Sequence, residues 1–343
     1  MSTFSFRRIA RSVTPAAKRS SLPSVAQRTA LAEATGISAG RGAGQPLLGL
    51  VTAAASIYVL GSLLSASAWA APSGGTVVAG NASIVQATPD TLNIVQGSNK
   101  AIINWQSFSI GAGETVNFQQ PSSKSVTLNR VTGNDPSAIY GSLNANGTVM
   151  LVNPNGVVFG PSSRVDVGGL VASTANISDA DFMAGNYRFA EASANKNARI
   201  VNQGDISIRD AGLAALVAPG VENSGVIKAR LGKVALAGAE TFTLDFQGDG
   251  LLSFDASSVV SQAPQGAEGK ALVINSGSIS ADGGSIELSA RAVKGVIDNV
   301  INTNGVVAAN SIGSRNGKIV LSGGDNGGVA ITGTLSATGT GEA

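Results

Sequence analysis

The sequence predicts an all-β chain wound as a parallel β-helix, and three observations carry that expectation. Of 343 residues, 44 are glycine, 43% are hydrophobic, 13% are charged and only 4% are aromatic. Such a chain can build a core, but from small side chains on short strands joined by many turns. A short unit recurs in which Asn, a small residue and Gly precede an alternating apolar strand, and a second strand type recurs in phase with it. Helical periodicity is almost absent.

The clear copies of the unit are Asn202-Gln203-Gly204-Asp205-Ile206-Ser207-Ile208, Asn223-Ser224-Gly225-Val226-Ile227-Lys228-Ala229 and Asn275-Ser276-Gly277-Ser278-Ile279-Ser280-Ala281. Looser copies lie at Thr303–Ala309 and Ile331–Ala337. From Gly to Gly the steps are 21 (204 to 225), 52 (225 to 277), 28 (277 to 305) and 28 (305 to 333). The second strand type opens at Gly232, Gly284 and Gly317, in the first two cases seven residues after the unit's own Gly. Steps of this size, with two or three short strands in each, are the signature of a solenoid.

In a rung of such a coil, alternate Val, Ile and Leu point inward while Ser, Lys and Glu point out. Gly and Asn tolerate the left-handed backbone of sharp corners, and stacked Asn side chains can bond along the ladder. Rungs of about 20–28 residues would divide residues 71–343 into about ten to thirteen, a rod roughly 50–65 Å long at ~4.8 Å per rung. The runner-up is a β-sandwich or barrel built from hairpins, which would favour irregular turn spacing without two strand types in phase.

Residues 1–70 read as an extended signal peptide. They hold seven basic residues (Arg7, Arg8, Arg11, Lys18, Arg19, Arg28, Arg41) and one acid, Glu33. Leu47 to Leu64 is apolar or small throughout, and Ala68-x-Ala70 satisfies the small-residue rule for cleavage before Ala71. The alternative is a retained membrane anchor, since eighteen such residues could span a bilayer. The remainder of the chain has 23 − 7 = 16 basic and 21 − 1 = 20 acidic residues, a net charge of −4. The pI near 9.0 therefore belongs to the leader, and no nucleic-acid partner is inferred from it.

Two segments break the repeat. Residues 176–199 combine charge with aromatics and read as an extra-helical loop or hairpin packed against the rod. Residues 240–270 lack the unit apart from an apolar run around Leu251–Phe254. The chain stops at Gly339-Thr340-Gly341-Glu342-Ala343 without a capping helix, so it is expected to be the start of a longer repetitive protein.

One ordered string is far more specific than the repeats. It runs through Leu128-Asn129-Arg130-Val131, Gly141-Ser142-Leu143, Asn144-Ala145-Asn146-Gly147 and Asn153-Pro154-Asn155-Gly156, and it closes on Val167-Gly168-Gly169-Leu170. This string resembles the haemagglutination-activity, or two-partner-secretion, domain at the N-terminus of filamentous haemagglutinins, large adhesins, secreted haemolysins and inhibition toxins. The resemblance extends more loosely from Asn81 to Phe254. It implies a right-handed, single-stranded parallel β-helix with an N-terminal cap and extra-helical β-hairpins, over residues 71–255, followed by continuing repeats over 256–343.

The resemblance also implies recognition by a cognate outer-membrane β-barrel with periplasmic docking domains, passage of the unfolded chain, and folding at the cell surface of a Gram-negative bacterium. Surface glycans are possible partners of such a protein through a C-terminal region absent here. Asn153-Pro154-Asn155-Gly156 matches one of the family's motifs. The other, usually Asn-Pro-Asn-Leu, is not present as such, and Leu128-Asn129-Arg130 is its nearest counterpart. Read from the residues alone, Asn153–Gly156 is a rigid β-turn between strands ending at Val152 and beginning at Val157. Whether it touches the transporter or only shapes the fold stays open.

Chemistry is sparse. No cysteine or histidine occurs, which removes disulfides, thiolate sites and the commonest general base and metal ligand. No cofactor or metal is expected. Asp179-x-Asp181 could form the carboxylate pair of a polysaccharide-cleaving β-helix, but a capping or turn role fits a polar loop better. Gly323–Gly328 has a faint likeness to a calcium-binding loop without its tandem repetition. Sequons at Asn81, Asn146 and Asn176 read as coincidental. The expected function is secretion targeting, not catalysis; the alternatives are a polysaccharide-binding or polysaccharide-cleaving protein and a passive rod.

Overall fold

The computed structural model describes residues 71–244, 252–253, 259–265 and 271–339. Residues 1–70, read from the sequence as a signal peptide and including Ala68 and Ala70 of the expected cleavage site, and residues 340–343 lie outside these, as does part of the apolar run at 251–254.

Three sheets form the faces of a parallel β-helix. One face stacks nine parallel strands from Thr91–Gln96 to Thr334–Ser336, and the column of Cα partners down its centre is Leu92, Val116, Leu143, Val165, Ile206, Ile227, Ile279, Val307 and Leu335. Subtracting successive numbers gives rung steps of 24, 27, 22, 41, 21, 52, 28 and 28. The last four equal the Gly-to-Gly steps of the sequence. From Leu92 to Val307 this column is buried in a continuous core, where each fully covered aliphatic side chain is worth about 1.5–3 kcal/mol over exposure. The rung pairings are parallel, which excludes the hairpin-built sandwich or barrel.

The rung count is lower than expected. Nine strands stack on this face among the described residues, in place of ten to thirteen, because two excursions lengthen the path without adding a rung. They follow the strands Gly169–Ser173 and Lys233–Gly238, and account for the steps of 41 and 52. The first rung is closed by two antiparallel strands. Thr76–Ala79 pairs with Lys100–Trp105 and Ala82–Thr88 with Thr91–Gln96, covering an edge that would otherwise be open to pairing.

Asn side chains stack as expected. At one buried corner Asn202 Nδ2 donates to Asn223 Oδ1 (2.8 Å), Asn223 Nδ2 to Asn275 Oδ1 (2.7 Å) and Asn275 Nδ2 to Thr303 Oγ1 (3.2 Å). The neighbouring glycines serve a different purpose from the one expected. Gly225, Gly277, Gly305 and Gly333 do not have left-handed φ; a Cβ on each would lie 2.1–2.2 Å from the carbonyl oxygen of the glycine one rung below. Close stacking of backbones, not backbone handedness, demands glycine here.

The faces also differ in how they treat their outer side. On the face containing Lys100–Trp105 and Val126–Val131, the outward row is Ile102, Leu128, Met150, Val171, Ala215 and Ala235, and it turns polar only at Glu287. The expectation of Ser, Lys and Glu pointing outward fails along this row, because the two excursions fold over it. The first forms a short helix, Asp179–Ala184, capped by Ser178 and ended by Gly185, with Phe182 buried. Its strand Tyr187–Phe189 pairs antiparallel with Phe242–Leu244 of the second excursion, which pairs in turn with Leu252–Ser253. Phe189 stacks on Phe242 with ring centroids 4.3 Å apart. Of the segment 176–199, residues up to Ala198 are thus extra-helical as expected, while Arg199 already opens the rung strand Arg199–Asn202; the excursion's strand partner comes from the other excursion rather than from a local hairpin. Together these residues make a second core outside the coil.

Candidate functional site: a buried corner and an arginine staple

Asn153–Gly156 turns the chain between strands Thr148–Val152 and Val157–Phe159. The Gly156 N–H donates to the Asn153 carbonyl at 3.0 Å and closes the turn, while Asn155 N–H donates to Asn153 Oδ1 at 2.9 Å. Gly156 has φ +108°, and a Cβ there would lie 2.7 Å from the Arg199 carbonyl of the next rung. Position and backbone both require glycine.

The corner is tied to its neighbours. Asn153 is fully buried, and its Nδ2 donates to the Asp135 carbonyl and to Ser137 Oγ, both at 3.0 Å. Asn155 Nδ2 donates to the Gly133 carbonyl at 3.0 Å. From the other side, Ser193 Oγ of the first excursion donates to the Pro154 carbonyl at 2.6 Å. Pro154 and Asn155 keep partial exposure, while Asn153 and Gly156 are covered.

Leu128-Asn129-Arg130 lies one rung earlier on the covered face. Leu128 joins the outer core. Asn129 is fully buried, accepts from Trp105 Nε1 at 3.0 Å and donates to the Met150 carbonyl at 3.3 Å, so it bridges three rungs. Arg130 points outward and binds the first excursion: Nε to Asn176 Oδ1 (2.8 Å), Nη2 to the Ile177 carbonyl (2.8 Å) and to Asp179 Oδ1 (2.7 Å), with Nη1 on Asn104 Oδ1 (3.1 Å). Its planar fork suits several acceptors at once. Asp181, the other member of the carboxylate pair, accepts from Ser178 at the helix start. These two acids are therefore held in structural contacts and do not face each other across a cleft.

Asn144 and Asn146 do different things. Asn144 continues an outward ladder, donating to Asn117 Oδ1 at 2.9 Å, and Asn117 donates to Asn93 Oδ1 at 3.0 Å. Asn146 brackets the Gln120 backbone, accepting from its N–H and donating to its carbonyl, both at 2.7 Å. Gly147 N–H donates to Gln120 Oε1 at 2.8 Å. The buried Gln96 and Gln120, joined through Thr127, complete this corner. Sequence reasoning passed over both, since an isolated glutamine carries no pattern.

The two excursions are fastened at Glu240, whose carboxylate accepts from Lys196 Nζ (2.7 Å) and from Ser261 N–H (3.0 Å) and Oγ (2.7 Å). Burial alone would raise its pKa, but these donors outweigh it and hold the carboxyl below its ordinary value. Among the described residues no group of three or more acidic side chains is gathered as a metal would need. Gly323–Gly328 is a corner closed by a Gly327 N–H bond to the Gly323 carbonyl.

Stacked rungs, an antiparallel cap and motif residues spent on internal hydrogen bonds define a capped parallel β-helical domain. The family model described as the TPS secretion domain matches residues 68–339. Two curated relatives are Heme/hemopexin-binding proteins of Haemophilus influenzae. One is 33% identical over 270 residues, covering 71% of this chain and 27% of the relative. The other, from strain KW20 / Rd, is 35% identical over 267 residues, covering 76% and 28%. The chain thus spans little more than a quarter of these relatives' length. Among solved structures, the HMW1 secretion domain from Haemophilus influenzae superposes with a TM-score of 0.67 at 31% identity, covering 78% of this chain and 67% of that one. The chain belongs to the two-partner-secretion domain family. Membership makes it a secretion-targeting domain of an exported protein, implies a cognate outer-membrane transporter and export to the cell surface or extracellular space, and places it in a family that is not one of enzymes.

Proposed function

We propose that Asn153-Pro154-Asn155-Gly156, with Leu128-Asn129-Arg130 and Asn144–Gly147, is read by the transporter's periplasmic docking domains before the chain folds, and that it then sets the fold of the exported domain. One observation carries this reading: the side chain of Asn153 is fully buried and hydrogen-bonded in the folded rod, so only an unfolded chain can present it. In this scheme the leader, residues 1–70, is removed before Ala71 after inner-membrane passage. Residues 71–255 are the addressed domain and 256–343 continue the rungs. The folded domain performs no catalysis; its acids at Asp179 and Asp181 serve the staple and the helix cap.

The whole protein is a surface adhesin, toxin carrier or haem-acquisition protein. Its receptor contacts, glycans included, belong to length beyond these residues. The names of the relatives favour haem or hemopexin as the target, and this chain holds no histidine or cysteine with which to ligate haem iron.

The test co-expresses the full chain with its cognate outer-membrane transporter and measures the released fraction. Pro154→Ala and Asn155→Ala are compared with Asn223→Ala, which disturbs a corner far from the motif. The motif variants should lose more export than Asn223→Ala at equal loss of folded stability. Export falling in simple proportion to stability in all three would reduce the motif to a folding element, and efficient release without any transporter would overturn the targeting role.

A further inference from the structure

Asn followed by Gly is a chemically labile pair, because glycine has no side chain to keep its own backbone nitrogen from reaching the Asn side-chain carbonyl carbon. Five such pairs occur among the described residues: Asn146-Gly147, Asn155-Gly156, Asn304-Gly305, Asn316-Gly317 and Asn326-Gly327. The fold commits the glycine N–H in four of them. Gly147 donates to Gln120 Oε1 (2.8 Å), Gly156 to the Asn153 carbonyl (3.0 Å), Gly305 to the Asn275 carbonyl (3.0 Å) and Gly327 to the Gly323 carbonyl (3.1 Å). Two of the four are held on the Asn side as well, Asn146 Nδ2 donating to the Gln120 carbonyl and Asn155 Nδ2 to the Gly133 carbonyl.

Asn316-Gly317 differs. It follows a tight loop in which Ile312 and Arg315 exchange backbone hydrogen bonds (2.9 and 3.1 Å), and it precedes the strand Lys318–Ser322. One and two rungs earlier, the glycine that opens the same strand type donates back across its corner, Gly284 to the Ala281 carbonyl and Gly232 to the Ala229 carbonyl, both at 2.9 Å. Residues 310–316 lengthen this corner, and the Gly317 N–H has no hydrogen-bond partner among the described residues. Asn316 is exposed, and its side chain makes no hydrogen bond among them either.

We propose that Asn316-Gly317 is a self-modifying site, at which the folded domain converts Asn316 to aspartate or isoaspartate with water as the co-reactant. The Gly317 nitrogen bonds to Asn316 Cγ, the Cγ–Nδ2 bond breaks, and Nδ2 leaves as ammonia carrying the proton that the Gly317 nitrogen gives up. Water then adds to one or the other carbonyl of the five-membered imide and reopens it. No oxidant, metal or enzyme enters the balance. The product sets a carboxylate between the cations Arg315 and Lys318, and its isoaspartate form adds a carbon to the main chain at the foot of the strand Lys318–Ser322. The site is independent of the transporter reading.

The test incubates the purified full chain at neutral pH, folded or in concentrated urea, and follows each Asn-Gly pair by peptide mass spectrometry. Cleavage after Lys294 and Lys318 releases one peptide, 295–318, that carries both Asn304-Gly305 and Asn316-Gly317 and so compares the two internally. In the folded chain position 316 should gain one nominal mass unit at least tenfold faster than positions 146, 155, 304 and 326, with isoaspartate in the product. In urea all five should convert at comparable rates. Asn316→Gln, which would have to close a larger ring, should leave peptide 295–318 unmodified over the same time. Circular dichroism before and after incubation verifies that the folded sample stayed folded. No conversion at 316 in the folded chain, conversion of any of the other four as fast as 316, or a 316 that stays ahead of them to the same degree in urea would each overturn the proposal.

Discussion

Arg130 Nη2 lies 2.7 Å from Asp179 Oδ1, and through this contact a residue of the coil grips the element that covers it. The ion pair is the lesser part of the grip, since Asp179 is half exposed and exposed pairs are worth about 0–1 kcal/mol. The greater part is the set of bonds from the same guanidinium to Asn176, the Ile177 carbonyl and Asn104. Arg130→Ala should therefore cost about 1–3 kcal/mol in denaturant titrations, against at most about 1 kcal/mol for Asp179→Asn. Amide exchange should accelerate first over residues 176–189. Equal effects of the two substitutions would assign the grip to charge alone.

At the Asn153–Gly156 corner, Asn153→Ala leaves the Asp135 carbonyl and the Asn155 N–H without their side-chain partner and should cost about 1–3 kcal/mol. Gly156→Ala strains the backbone and meets the Arg199 carbonyl, so it should cost at least about 1 kcal/mol. Asn155→Ala, at a partly exposed position, should be milder than either. Urea midpoints of the refolded chain check the order.

The glycine stack offers a sharper contrast. Gly277→Ala sets a Cβ 2.1 Å from the Gly225 carbonyl, backbone against backbone, and is expected to cost about 1–3 kcal/mol, more if the rungs cannot part. Gly295→Ala, where nothing lies within 4 Å, should lose only what its positive φ demands. Thermal melts of the two variants would test whether packing, and not handedness, selects glycine in the stack.

Two glutamates should respond oppositely to pH. Glu240 has a lowered pKa, so its contribution is fully present above the ordinary value of 4.5 and is lost as the pH falls through the lower folded value. Glu240→Gln should destabilise at pH 7, with the cost shrinking as the pH falls below 4.5. Glu287 follows the covered row on the same face and is raised by burial, with the Ser289 hydroxyl and then Lys318 on the next rung offsetting part of the rise. Its charged form is disfavoured in the fold, so Glu287→Gln should stabilise at pH 7, with the advantage fading as the pH falls from the raised folded value towards 4.5 and gone below it. Melting temperatures between pH 3 and 7 check both signs.

Much of the coil was legible in the sequence because repeat spacing is a direct image of register: Ile206, Ile227, Ile279, Val307 and Leu335 stack at the spacings of Gly204, Gly225, Gly277, Gly305 and Gly333. The corner at Asn153 was legible because Pro and Gly fix local backbone. The outer core was not. Leu128, Met150 and Val171 obey the same alternation whether their outward neighbour is water or Phe182, and nothing local announces the cover. The grip of Arg130 was hidden for the same reason, since its partners lie 46 to 49 residues away. The cap was implied only by family resemblance, because antiparallel strands at 76–79 and 82–88 look like any other rung.

The account rests on strands that follow one another around the coil in parallel and in register, and the natural absence of cysteine makes that directly measurable. Cα partners in adjacent strands lie ~4.8 Å apart, within disulfide reach. Ser278 partners Val306, and Ser280 partners Ala308. Oxidation of the refolded Ser278→Cys/Val306→Cys chain should give an intramolecular disulfide in high yield, and Ser278→Cys/Ala308→Cys should give little. The reverse result, cross-linking of 278 to 308 and of 280 to 306, would mean a hairpin in place of stacked rungs and would contradict the account.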